Sequence, residues 1–173
     1  MNYNIQKSIE ILERTPIVLK TLLSGISDDW TMNNEGGETW SPYDVIGHLI
    51  YGDRQNWMQR LYLILDAKSD HVFTPFDRFA QFEESKGKTL TQLLDEFELL
   101  RNENLTKFKA LNLQESQLDL TGIHPGLGEV TMRQMLATWV VHDLDHIQQI
   151  VRVMAKQYKE EVGPWIENLK ILR

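Results

Sequence analysis

The stretch WVVHDLDHIQQIVRVM, residues 139–154, sets His142 and His146 four positions apart in a largely apolar run. At about 100° per residue the two side chains lie about 40° apart on a helix, so both imidazoles point the same way. A helix presents two nitrogens to one metal ion with this spacing, although HDLDH lacks the glutamate of the HExxH protease motif. Two unrelated histidines, one hydrogen-bonded in a core and one in solvent, give the same spacing. A third imidazole bears on the choice. His48 shares a helical face with Val45, Gly52, Gln55 and Gln59. A dry core selects Leu or Ile at such positions, whereas a wet cavity accepts glutamine, and Gly52 leaves room. His48, His142 and His146 are therefore the candidate ligands of a divalent ion such as Zn²⁺, Ni²⁺ or Fe²⁺, held with one or more coordination positions open, the catalytic rather than the structural pattern. Ligand type does not choose among these metals.

Other polar groups near this constellation carry weaker signals. Asp145 falls about 60° from His142 and about 100° from His146, close enough to orient an imidazole or a coordinated water. Asp143 reads as surface charge at the edge of the polar stripe. His71 and His124 fall in loops, where exposure is expected, although His124 precedes Pro125 and Gly126 shortly before the last helix and suits a cavity rim. Trp40, Trp57 and Trp139 read as core anchors. No serine triad, phosphate-binding glycine loop or nucleotide motif is present.

The elements that must position these residues follow from periodicity. Ile5, Ile9, Leu12, Leu19, Leu22, Leu23 and Ile26 recur at helical spacing, and Pro16 after Thr15 predicts a kinked or two-piece first helix. Residues 28–39, DDWTMNNEGGET, read as a loop. A second helix is expected from residue 42 to about 67, opened by Ser41, Pro42 and Asp44 in a capping box. Residues 68–88 form a long connection with room for a short helical turn. Leu90, Leu93, Leu94, Phe97, Leu100, Leu105 and Phe108 define a third amphipathic helix. GIHPGLGEV reads as a turn-rich lead into a fourth helix from about 132 to 158, with Thr131 and Gln134 at capping-box spacing. After a break at Gly163 and Pro164, Trp165, Ile166 and Leu169 can fold back on the bundle. With no convincing alternating strand, the class is all-α, a four-helix bundle with a long crossover between helices 2 and 3, so helices adjacent in sequence need not be neighbours in space.

Bulk properties narrow the function. The 173 residues suit a single domain over 1–173, and a net charge of −7 argues against nucleic acid as a partner. The absence of cysteine removes disulfides, thiolate ligands and a cysteine nucleophile from this chain. MNYNIQKSIEILERTP has neither the basic segment nor the apolar run of a signal peptide, and no stretch suits a membrane span, so a cytoplasmic protein is expected.

The pairing of TWSPYDVIGHL, residues 39–49, with VVHDLDHIQQI, residues 141–150 and the Val before them in the run, resembles the DinB superfamily of DinB/YfiT-like metalloenzymes, over nearly the whole chain. The resemblance implies a four-helix bundle, commonly dimeric, with a divalent metal held by three histidines. By motif position these are His48, His142 and His146. Members of the family include thiol-dependent transferases and isomerases, proposed hydrolases and proteins of unknown activity, so family constrains chemistry less than architecture. Two classes of function follow. One is a metal-dependent enzyme acting on a small molecule, an S-transferase or a hydrolase, whose thiol cosubstrate, if any, must be a separate low-molecular-weight compound. The other is a non-catalytic stress-response protein that keeps the histidines as a metal or ligand pocket. No particular residue is assigned as catalytic. Apolar residues on the second side of the fourth helix (Val140, Leu144, Ile147, Val151) and of the second helix (Ile50, Trp57, Leu61, Ile64) predict a homodimer through one or both.

Overall fold

The computed structural model describes residues 2–173. Four long helical arms form the bundle: α1 (Ile5–Leu23); α3 (Pro42–Gln55) continued by α4 (Trp57–Leu65); α6 (Leu90–Ala110); and α7 (Met132–Lys156). Two short helices, α2 (Asp28–Met32) and α5 (Ala80–Ser85), lie in the connections. Caps account for where the arms begin. Asn4, Ser41, Thr89 and Thr131 each accept from a first-turn amide, and the last three complete capping boxes with Asp44, Gln92 and Gln134.

Each arm packs on two others. α1 contacts α6 and α7, and α3 contacts α6 and α7, so α1 and α3 lie across the diagonal, as do α6 and α7. The direction of each pair follows from its side-chain partners. Tyr43 at the start of α3 donates to the Ser85 and Lys88 carbonyls just before α6, Asp53 near the end of α3 meets Arg101 midway along α6, and the two apolar clusters hold Val45 with Leu93 and Leu61 with Phe108, so α3 and α6 run parallel. His48 meets His142, whereas Trp57 stacks on Trp139, so α3 and α7 run antiparallel. Parallel neighbours need a connection that returns along the bundle, and residues 66–89 supply it. This is the expected crossover, and its α5 is the expected helical turn.

Several local expectations need correction. The first helix is one continuous helix through Pro16 rather than two pieces. Thr15 and Pro16 are buried; the proline leaves the Leu12 carbonyl without its helical N–H donor, and Arg101 Nη1 donates to it at 3.2 Å, while the Thr15 hydroxyl donates to the Ile11 carbonyl. The second helix, by contrast, does break, at Asn56, whose φ of −117° and ψ of −73° lie well off ideal helical values. Asn side chains compete with helical backbone bonds, and the interruption puts this one against a cavity. Residues 28–39 include α2. The turn-rich lead to the fourth helix is a β-hairpin, β1 (Thr121–His124) with β2 (Gly128–Thr131), whose last residue is also the α7 cap. The hairpin also receives the crossover: Phe73 N–H donates to Ile123 O at 2.9 Å and Ile123 N–H to His71 O at 2.8 Å. In the tail, Leu172 is buried while Trp165 is 69% exposed, so the fold-back runs through a different residue.

Two apolar clusters share the interior. One gathers Leu12, Trp57, Leu61, Leu105, Phe108 and Trp139; the other gathers Leu19, Val45, Leu49, Leu94, Phe97 and Ile150. On three helices a charged residue falls between them: Asp53 between Leu49 and Trp57, Arg101 between Phe97 and Leu105, and Asp143 between Trp139 and Ile150. All three are buried and ion-paired, which corrects the reading of Asp143 as surface charge. Ile50, Trp57, Leu61 and Ile64 are also buried within the chain, which removes the second helix as a dimer face.

Candidate metal centre

His48 comes from the second turn of α3, whose start is fixed by the Ser41, Pro42 and Asp44 cap. His142 and His146 come from the middle of α7, one turn apart. The antiparallel packing of these helices brings the three rings together. The Nε2 of His142 lies 3.2 Å from that of His48 and 3.1 Å from that of His146. Ligand atoms about 2.0–2.1 Å from a tetrahedral ion are separated by roughly 3.3 Å, so this spacing suits three ligands of one divalent cation. Among the described residues no fourth Asp, Glu, Cys or His joins the group.

The protonation of the rings agrees with that use. Burial, with the neighbouring histidines and a nearby arginine adding to it, pushes His48 and His142 down to about 3. Burial also lowers His146, against the opposing pull of Gln149, Asp145 and Asp143. Neutral imidazoles are what a metal requires. His146 Nδ1 lies 2.8 Å from Gln149 Oε1, and since an amide oxygen accepts only, Nδ1 carries the proton and the Nε2 lone pair faces inward. The orienting group is Gln149 rather than the expected Asp145. Asp145 is exposed and acts on His146 only through its charge.

Aromatic rings enclose the cluster. Trp40 stacks along His146 at 6.4 Å between centroids and tilts over His48 at 4.8 Å, Phe76 meets His48 edge-on, and Trp57 does the same to His142. Below lies the ionic layer, in which Arg101 donates to Asp53 through Nε at 2.7 Å and Nη2 at 2.9 Å, pairs with Asp143 through Nη1 and Nη2, and reaches the Leu12 carbonyl. Burial alone would lower the Arg101 guanidinium, but the facing charges of Asp53 and Asp143 prevail and raise it. The layer thus ties α1, α3, α6 and α7 together directly beneath His142. Its signal in the sequence was Arg101 and Asp53 standing within apolar stripes, where an unpaired charge is too costly to keep.

On its other side the cluster opens to a cavity of about 280 Å³ whose wall includes His48 and His142. Gly52, Asn56 and Arg60 continue that wall from His48, one residue per helical turn, and the hairpin adds His124, Leu127 and Val130. His124 therefore sits at the cavity, as its place before the last helix allowed, whereas His71 lies apart, its Nε2 against the Asp66 carbonyl. Gln55 and Gln59, expected to face the cavity, are exposed and bonded to each other. The repeat His48, Gly52, Asn56, Arg60 at intervals of four was the available signal for the true lining.

A sequence profile described as the DinB superfamily matches residues 11–150. No curated protein matches the chain. Among solved structures, YfiT from Bacillus subtilis, described as a probable metal-dependent hydrolase with an unusual four-helix bundle topology, is similar with a TM-score of 0.74 and 20% identity, covering 88% of this chain and 86% of its own. At that identity the likeness carries the fold.

Proposed function

This chain belongs to the DinB superfamily, and we propose that it is a divalent-metal-dependent hydrolase of a small molecule, with His48, His142 and His146 as the metal ligands. The observation that carries this reading is the convergence of three neutral imidazoles, with no fourth His, Cys, Asp or Glu beside them among the described residues, at the wall of a largely apolar cavity. When bound there, a divalent ion supplies Lewis-acid activation of a nucleophile at neutral pH. The protein's own groups prepare the place. Gln149 fixes the tautomer and the ring plane of His146, the ionic layer anchors the helix turn that carries His142, and Trp40, Trp57 and Phe76 keep bulk water from the ring edges.

Metal analysis of protein purified without chelator or affinity tag, followed by a hydrolysis screen with and without an added low-molecular-weight thiol, tests the reading. We expect one divalent ion per chain and turnover in the screen. Turnover only with the thiol makes the enzyme a transferase, and a loaded protein with no turnover makes it a binding protein. His142→Ala should lose most of the metal while circular dichroism keeps its helical signature, because the apolar clusters hold the bundle without the ion. Unchanged metal content in that variant removes His142 from the site. The same reading includes a homodimer formed by the outer faces of α7 and α1, where Val141 is 63%, Leu144 46% and Ile17 57% exposed.

A further inference from the structure

The cavity beside the histidines contains a charge that the protein leaves unanswered. Four arginines of this chain are paired with carboxylates: Arg54 with Glu84 and Glu96, Arg101 with Asp53 and Asp143, Arg133 with Glu115 and Asp119, and Arg152 with Glu35. Arg60 is half-buried in the cavity wall, and among the described residues its guanidinium has neither an ion-pair partner nor a hydrogen bond. Its only marked contact is the face of Phe73, 4.9 Å from the ring centroid. Burial lowers its pKa, which records that the charge is held at a cost. In a protein of net charge −7, a half-buried arginine without a carboxylate is a poor structural choice and a good anion receptor.

Two further groups face the same space. His124 stands edge-on to Phe73 and accepts at Nδ1 from the Gly126 amide at 3.1 Å, so its remaining nitrogen carries a proton available to a ligand. Asn56 is 8% exposed, lines the cavity, and keeps its side-chain oxygen buried with no partner. The remaining wall is apolar, with Trp57, Phe73, Phe76, Leu127 and Met135. His48, Gly52, Asn56 and Arg60 run along one helix side, so a ligand reaching from Arg60 to the histidines passes an unsatisfied amide and then bare backbone.

We infer that the cavity receives a small molecule with an apolar body and a single carboxylate, which Arg60 binds at the end remote from the three histidines, leaving the other end of the molecule at the metal centre. One guanidinium beside a neutral imidazole balances one negative charge, and a dianionic phosphate among these apolar walls would keep an uncompensated charge. His124 adds a donor to the carboxylate, and Asn56 sets a preference for a hydrogen-bond donor partway along the body. Only the designation of this ligand as a substrate rests on the metal-enzyme reading; its recognition by Arg60 does not.

The test uses full-length, metal-stripped protein with methyl-labelled methionine, following the Met135 methyl signal, assigned with Met135→Leu, during titration with 5-phenylpentanoate, its neutral amide, and a phenylalkyl phosphate of equal length. The carboxylate should bind at least tenfold more tightly than the amide. Arg60→Gln should abolish that difference while binding the amide as the wild type does, which also shows that the variant is folded. Equal affinity for acid and amide, a preference that survives Arg60→Gln, or a phosphate that binds tenfold better than the carboxylate overturns the inference. Because no metal is present, these results stand apart from whether the histidines bind an ion.

Discussion

At the scale of single residues, the site joins three neutral rings to a fully buried ionic layer, and each has a measurable signature. His48 and His142 ionise near 3 in the folded protein, held down by burial, against about 6.5 in an unfolded chain. Below 6.5 the unfolded state therefore binds protons that the folded state refuses, so the stability these rings allow is complete above 6.5 and is lost as pH falls toward 3. Each ring contributes a slope of about 1.4 kcal/mol per pH unit within that window. Urea unfolding of the metal-free protein between pH 7 and 5 should show this loss, and the double variant His48→Gln, His142→Gln should flatten it; an equal slope in the variant would assign the proton uptake elsewhere. Arg101 is the second residue-scale case. Arg101→Met strands Asp53 and Asp143, both fully buried, and should cost about 3–5 kcal/mol in the same unfolding assay, more than a cavity-free methionine could return.

At the scale of elements, the hairpin and the crossover build the cavity wall together. Gly122 in β1 lies so close to Phe73 that an added methyl would fall 2.4 Å from its Cε1 and 3.1 Å from Ile64 Cγ1. The Phe73 ring also carries Arg60 on its face and His124 at its edge. Gly122→Ala must therefore displace the ring, with a destabilisation of about 1–3 kcal/mol from overpacking and a weakened grip on any cavity ligand. A thermal melt indistinguishable from wild type would show that the ring has somewhere to go. The α7 start is a separable control: Thr131→Ala removes a cap that accepts from Gln134 N–H and should cost about 1 kcal/mol without altering the cavity.

For the whole molecule, the arrangement of arms leaves a defined surface. α1 and α7 are neighbours, and their outer sides expose Ile17, Val18, Val141 and Leu144, while Ile50, Trp57, Leu61 and Ile64 of the second arm are taken up inside the chain. An isologous pairing of that α1 and α7 face buries these side chains twice over. Sedimentation at micromolar concentration is expected to give twice the chain mass of 20.3 kDa, with Val141→Asp shifting the protein to monomer. A wild-type monomer at that concentration would remove the pairing.

The amino-acid sequence by itself determined what is decided within a turn or two of chain. The Ser41 and Thr131 caps, the apolar stripes of the arms, and the common face of His142 and His146 are set by neighbours three or four residues away, so helical geometry alone reveals them. His48 was legible from the face it shares with Val45 and Gly52, although Gln55 and Gln59, read with it, face solvent. The tertiary structure decided whatever depends on residues far apart in the chain. Asp143 looked like surface charge until α6 brought Arg101 to it, forty-two positions away in sequence. Gln55 and Gln59 face solvent while Asn56 and Arg60 line the cavity, because the hairpin and the crossover, distant in sequence, cover one side of this arm and leave the other open. His124 and Phe73 met only when the crossover added itself to the β1 edge. The diagonal placement of sequential arms has the same origin: periodicity states that a face is apolar, and only the packed bundle, by matching charges and volumes across the chain, states which other face it meets.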